Sequence, residues 1–274
     1  MRRVLVPLAV MAASAAAQWI NYPTPGTPRT KDGKPRLTAP APRARDGKPD
    51  LSGIWQSLPP ERDSARKWPQ GEAGNGFLGA ADLNIFDLEN YLPAGARIPM
   101  RPEAEALFGE RVQNLGAGRP SGRCLPHGIP DAMLIPAEFK IVQNPGLTLI
   151  LYEEFNHYRQ IFTDGRPHPA DPNPAWFGYS IGKWERDTFV VDTVGFNDRS
   201  WLDDHGHAHT EALHTIERFR RRDFGHMEIQ VTIDDPKTYT APWTATIQFH
   251  LLPDTDLIED VCDNERDVVH EKGK

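Results

Sequence analysis

Among the 274 residues there is no Gly-x-x-x-x-Gly-Lys-Ser/Thr phosphate loop and no His-Glu-x-x-His. Nucleotide binding through a P-loop and zincin-type proteolysis lack their residues, and covalent hydrolase and dinucleotide chemistry are set aside with them. Positive charge is not in excess: the formal net charge is -7, which argues against a nucleic-acid partner. The one basic cluster, Arg218, Arg220, Arg221 and Arg222, interleaves with Phe219 and reads as a solvated strand face. Long apolar runs are missing too. Only the N-terminal residues are strongly apolar, and that run falls short of the ~20 residues a membrane-spanning helix needs.

That short run reads as an export signal. Arg2 and Arg3 supply the positive start, Val4 to Ala13 the apolar stretch and Ala15-Ala-Ala17 the small-residue cleavage site, so 1–17 is expected to be removed. The mature chain is then periplasmic or secreted, with no membrane attachment after cleavage; the alternative is a retained N-terminal anchor. In an oxidising compartment the only two cysteines, Cys124 and Cys262, are expected to pair, against the alternative of two buried thiols. Residues 18–48, rich in Pro, Gly, Lys and Arg, read as an extended or disordered linker. Residues 49–274 read as a single β-barrel-like domain with a loop-rich arm at about 58–137.

The fold is carried by alternation. In His226 to Asp234, Met227, Ile229, Val231 and Ile233 share one side of a pleated strand, and Ala245, Ile247, Phe249 and Leu251 do so in the next. Further strands are expected at 51–57, 139–142, 147–155, 158–163, 178–184, 188–196, 213–220 and 257–262, most joined by short turns. One helix is expected over Pro102 to Val112, with Pro102 at its first turn. The fold class is mainly β, an antiparallel meander closing into a lipocalin-like barrel with an N-terminal arm and a short helix.

Asp50-Leu-Ser-Gly-Ile-Trp55 contains a Gly-x-Trp that opens a strand. It resembles that of lipocalin-like (calycin) barrels, which implies that the Trp packs at the barrel floor against a late-strand arginine, here expected to be Arg218. A wider set of motifs covers nearly the whole mature chain: Asp46-Gly-Lys-Pro-Asp-Leu-Ser-Gly-Ile-Trp55, Cys124-Leu-Pro-His-Gly-Ile-Pro130, Ile161-Phe-Thr-Asp-Gly-Arg-Pro-His168, His209-Thr-Glu-Ala-Leu-His214 and Thr232-Ile-Asp-Asp-Pro236. These are similar to a family of secreted bacterial proteins to which no reaction is assigned, so the likeness implies secretion and a shared fold but no chemistry. His205 and His207 lie outside its pattern.

Candidate chemistry centres on two stretches. On an extended loop His205, His207 and His209 would project to one side, and His207 with His209 is the spacing by which a strand offers two imidazoles to a divalent metal. The alternative is a solvated histidine-rich loop with no cofactor. His209, Glu211 and His214 are the acid–base candidates. Asp164, Arg166 and His168, after a strand that carries Arg159, are rim positions for binding a small organic ligand; Asp164 alternatively just caps its turn. Trp201 is either a stacking platform or core. Asp192, Asn197 and Glu217 are expected to pair structurally, with Arg159 and Arg218 as partners. A small-molecule-binding protein leads these readings, ahead of a lyase, isomerase or hydrolase that uses a metal or works without one, and of an envelope interaction protein.

Overall fold

The computed structural model describes residues 22–60, 87–135 and 137–262. The expected signal at 1–17 lies outside them. Nine strands close into one barrel in sequence order: β1 (Gly53–Ser57), β2 (Phe139–Asn144), β3 (Leu147–Tyr152), β4 (Tyr158–Phe162), β5 (Tyr179–Glu185), β6 (Thr188–Val194), β7 (His214–Arg221), β8 (His226–Asp234) and β9 (Trp243–Leu251). Trp55 opposite Leu251 seals β1 to β9, leaving no edge strand in the barrel. No helix among the described residues is long and apolar enough to cross a membrane.

The expected meander is correct at every step but one. β4 and β5 run parallel, through Ile161–Ser180 and Phe162–Ile181, so residues 163–178 cross from one end of the barrel to the other. Pro167, Pro169, Pro172 and Pro174 lie in that crossing. Proline cannot complete a strand ladder, so the segment runs along the wall instead of turning back. The strand expected at 257–262 is also absent. Because β9 already pairs with β1, that stretch has no edge to join. It is held by the Cys124–Cys262 disulfide, by Glu153 accepting from the Ile258 amide at 3.0 Å and by Asn156 donating to the Asp260 carbonyl at 2.8 Å.

The pairing register decides which residues enter the barrel. Phe189 faces Phe219, Val191 faces Glu217 and Thr193 faces Thr215, so alternate residues of β6 and β7 point inward. The inward rows of β8 and β9 are the alternating apolar sets predicted above, all buried. Packing is tight at Gly182, where an added Cβ would stand 2.6 Å from the Phe189 ring. The same register puts Arg218 outside, where it bonds Glu185 at 2.9 Å, and Arg221 inside. Arg221, three residues beyond the expected Arg218, is the arginine that lies over Trp55, 4.9 Å from its ring.

The linker expected to be extended or disordered is instead structured over its described part, 22–48. It holds an internal repeat that the sequence reading passed over: Pro28-Arg-Thr-Lys-Asp-Gly-Lys-Pro-Arg-Leu-Thr38 and Pro42-Arg-Ala-Arg-Asp-Gly-Lys-Pro-Asp-Leu-Ser52. Both copies form the same hairpin-like turn. The residue-30 amide donates to the Lys34 carbonyl at 2.9 Å, and the Ala44 amide to the Lys48 carbonyl at 2.8 Å. Gly33 and Gly47 take left-handed φ values of 83° and 80° at equivalent places. Arg29 bonds the Gly33 carbonyl and Asp254, while Arg43 bonds the Gly47 carbonyl and Asp187. Each copy thus folds on its own arginine and is tied by it to the barrel. The two leucines then close the floor: the Leu37 carbonyl accepts from Gly225, and buried Leu51 accepts from the Trp55 indole at 3.0 Å.

Candidate functional site

The other end of the barrel is plugged by side chains from loops. Helix α1 (Pro102–Gln113), one residue longer than predicted, starts with Pro102 and lies against the β6–β7 loop, 195–213. Its Arg111 donates to the Gly206 carbonyl at 2.9 Å and stacks 4.2 Å from the Trp201 ring. A second short helix, α2 (Asp131–Leu134), follows the segment that carries His127. An added Cβ on Gly128 would strike the Ser200 side chain, so this segment and the β6–β7 loop are in direct contact.

Here His127 meets three carboxylates. Its Nδ1 lies 2.5 Å from Glu154 Oε2, and its Nε2 lies 3.3 Å from Asp204 Oδ1 and 3.7 Å from Asp131 Oδ2. The side chains of His127 and Asp131 are 4% and 3% exposed, yet His127 Nε2 and Asp131 Oδ1 make no hydrogen bond. Unsatisfied buried polar atoms are few in folded proteins, and two within one cluster call for an explanation. Glu154 reaches the ring because the β3–β4 connection turns over through Phe155 and Asn156, both left-handed at φ 53° and 55°. That conformation is costly for phenylalanine. Ser121 and Arg119 approach Asp204 at 3.2 and 4.0 Å and mark the open side, where the Arg119, Asp204 and Glu154 side chains are all partly exposed.

Electrostatics follow from this geometry. Burial opposes charge on His127, but Asp131, Asp204 and Glu154 together hold its pKa well above 6.5. Burial above all, with Asp204, Asp203 and Glu154 adding repulsion, lifts Asp131 well above the carboxylate range. Asp204 goes the other way: burial works against it, but His127, Arg119 and Ser121 hold it low. The cluster carries more negative charge than a buried site retains without a compensating cation or proton.

A second cluster lies beside it, joined through the consecutive Asp203 and Asp204. Asp87, Asp203 and His207 bring one donor atom each within 4.8 Å of one another. Asp203 accepts from the Leu88, Gly206 and His207 amides at 2.9, 3.0 and 3.1 Å, and its Oδ2 lies 2.6 Å from His207 Nδ1. His207 stacks 4.2 Å from the Phe108 ring of α1, and Asp87 caps the turn at Leu88–Tyr91. With Asp203 bonded on both oxygens and the acids balanced by His205 and His207, this network fixes the loop.

The predicted residues are distributed differently from the sequence expectation. His205, His207 and His209 are all buried, so the loop is not solvated. His207 and His209, the expected metal pair, are separated: among the described residues no metal-type cluster contains His209. His209 accepts from Ser200 at 2.7 Å through Nε2, its Nδ1 donates to the Thr210 carbonyl at 3.1 Å, and burial lowers its pKa. Glu211 is exposed. His214 faces outward on β7 and meets Asp192 at 2.9 Å, so the trio His209, Glu211 and His214 shares no hydrogen bond. His168 and His214 do come together, since Asp192 Oδ1 lies 2.7 Å from His168 Nε2 as well. That trio sits on the outer wall. Asp164 and Arg166 bond each other in an exposed turn, Trp201 is buried beneath Arg111, and Arg159 lies inside the barrel, bonded to Glu217, Ser180 and Thr193.

Two spacings bear on the chemistry set aside at the outset. Gly178-Tyr-Ser-Ile-Gly182 does have the Gly-x-Ser-x-Gly spacing, but Ser180 is the second residue of β5, is buried, and bonds Arg159 and Thr193. A nucleophile elbow needs a strand-to-helix turn, which this is not. Gly74-Asn-Gly-Phe-Leu-Gly79 has dinucleotide-type spacing and lies outside the described residues. Sequence reading missed His127, Asp131, Glu154 and Asp204 because they come from three distant segments. Two signals stood in plain view: His127 inside the Cys124 to Pro130 motif, and the pair Asp203-Asp204 before the histidines. No protein-family model, curated protein or solved structure matches the chain.

Proposed function

We propose that the chain is a secreted enzyme of lyase, isomerase or hydrolase type that transforms a small organic molecule at the plugged end of a lipocalin-like barrel. One observation carries this reading: His127 is oriented on Nδ1 by Glu154 while its Nε2 and Asp131 Oδ1, both buried, make no hydrogen bond. A buried group left without a hydrogen bond costs on the order of 1–3 kcal/mol. In this reading Glu154 sets the ring's orientation, and Asp131 and Asp204 supply the charged centre. Arg119, on the open side, binds an anionic group of the substrate. A run of rings gives the substrate an apolar wall: Phe155 to His157 at 6.1 Å, His157 to Phe177 at 6.1 Å and Phe177 to Tyr152 at 5.3 Å. The N-terminal export pattern and the disulfide support a periplasmic or secreted location.

The test is a panel of small organic acids, esters and lactones incubated with the signal-processed protein, with products read by mass spectrometry. Turnover that falls about 100-fold or more in a folded Glu154→Gln variant is the expected result. Full turnover in that variant, or none by the wild type across the panel, argues against it.

A carrier role is the second reading, favoured by a groove of about 800 Å³ between Leu58–Pro60, Asn90–Ala94 and the outer wall at His226, Thr246 and Gln248. Its size suits a small ligand. It lies outside the barrel, away from the rim residues expected from sequence.

A further inference from the structure

We infer that His127, Asp131 and Asp204 form a binding site for one divalent cation of the manganese class, with Glu154 as the outer carboxylate that orients the imidazole. The inference rests on the mouth cluster being the functional centre and specifies what occupies it. The donor atoms of the three residues lie within 4.8 Å of one another. A cation about 2.1 Å from each donor sets neighbouring donors about 3.0 Å apart at a right angle and about 3.4 Å apart at a tetrahedral angle. His127 Nε2 stands 3.3 Å from Asp204 Oδ1 and 3.7 Å from Asp131 Oδ2, so small side-chain rotations suffice.

Three features separate this cluster from an ordinary buried ion pair. First, the imidazole nitrogen facing the carboxylates is buried without a hydrogen bond, and so is Oδ1 of Asp131, whose other oxygen stands 3.7 Å from that nitrogen. Second, the other imidazole nitrogen is held by Glu154 at 2.5 Å, the carboxylate–histidine arrangement by which metal-binding histidines are fixed. Third, three carboxylates surround a single histidine, with Arg119 only at 4.0 Å from Asp204. A divalent ion would balance that excess. The neighbouring Asp87–Asp203–His207 cluster shares the first two features, since His207 Nε2 is also buried without a hydrogen bond and Nδ1 is held by Asp203, but it lacks the third: His205 and His207 balance its two acids, and Asp203 is already bonded to three amides. One imidazole among carboxylate oxygens suits manganese or magnesium better than the nitrogen- and sulfur-rich shells typical of zinc. A bound cation would polarise a substrate oxygen or activate a water at the mouth.

The test uses the full signal-processed chain, without a histidine tag, stripped by chelator and titrated with Mn²⁺ by calorimetry and electron paramagnetic resonance. One Mn²⁺ per chain is expected, with the nitrogen coupling of a single imidazole in the wild-type spectrum, a readout independent of any variant. Asp131→Asn and Asp204→Asn should weaken binding at least 100-fold, and Glu154→Gln about 10- to 100-fold. Asp87→Asn, in the neighbouring cluster, should leave binding unchanged. The inference is overturned by no saturable binding at 1 mM Mn²⁺, by a spectrum without nitrogen coupling, or by loss confined to Asp87→Asn. Turnover in the substrate panel by metal-free protein would remove the cation and leave the enzyme reading standing.

Discussion

Arg159 and Glu217 meet inside the barrel as a two-pronged ion pair, with both side chains at or below 1% exposure. Ser180 and Thr193 take two further guanidinium donors at 3.1 and 2.9 Å. Removing one partner leaves the other charged and buried. Glu217→Gln is therefore expected to cost about 3–5 kcal/mol, seen as a lower urea midpoint. Replacing both, as Arg159→Met with Glu217→Leu, should destabilise less than the single change, and a double mutant weaker than the single would contradict this account.

The barrel floor depends on a second buried arginine. Arg221 donates to the Asp50 carbonyl at 2.6 Å and to the Phe224 carbonyl while covering Trp55, and burial pulls its pKa down to about 10. Lysine keeps the charge but not the fork. Arg221→Lys is expected to lose about 2 kcal/mol of stability and to red-shift tryptophan emission as Trp55 gains water. Unchanged emission and midpoint would show that the fork is dispensable.

Acid should weaken the plug through His209. Burial lowers its pKa below 6.5, while in the unfolded chain it titrates at about the ordinary value. Between those two values the unfolded state binds more protons, so stability rises with pH there and is lost as pH falls below about 6.5. A His209→Gln variant should show a flatter decline in denaturation midpoint from pH 7 to pH 5. An identical slope would assign the acid sensitivity to other groups.

The disulfide closes a loop of 138 residues and pins the C-terminal stretch beside the His127 segment. Replacing both cysteines by serine is expected to cost on the order of 4 kcal/mol in the chain-entropy account. The 252–262 stretch should also become the first site of limited proteolysis. Protection equal to wild type would mean that Lys140–Asp256 and the bonds from Glu153 and Asn156 hold it unaided.

What the sequence determined by itself was local. Period-two alternation in 226–234 and 244–251, turns at Asn144-Pro-Gly146 and Glu185-Arg-Asp187, and Pro102 at a helix start placed eight of the nine strand regions and the helix. A pleated strand with one buried face must alternate, and a tight turn must use residues that tolerate it. The ninth, β1, was marked by its Gly-x-Trp, and the two cysteines paired because each had only the other. What only the tertiary structure decided was long-range. The parallel β4–β5 step, the choice of Arg221 over Arg218 and the fold of the repeat arm depend on register and on partners far away in the chain. The mouth cluster is the extreme case. His127 and Asp131, Glu154 and Asp204 stand on three separate segments, and their charges acquire meaning only when burial brings them within a few ångströms and takes the water away.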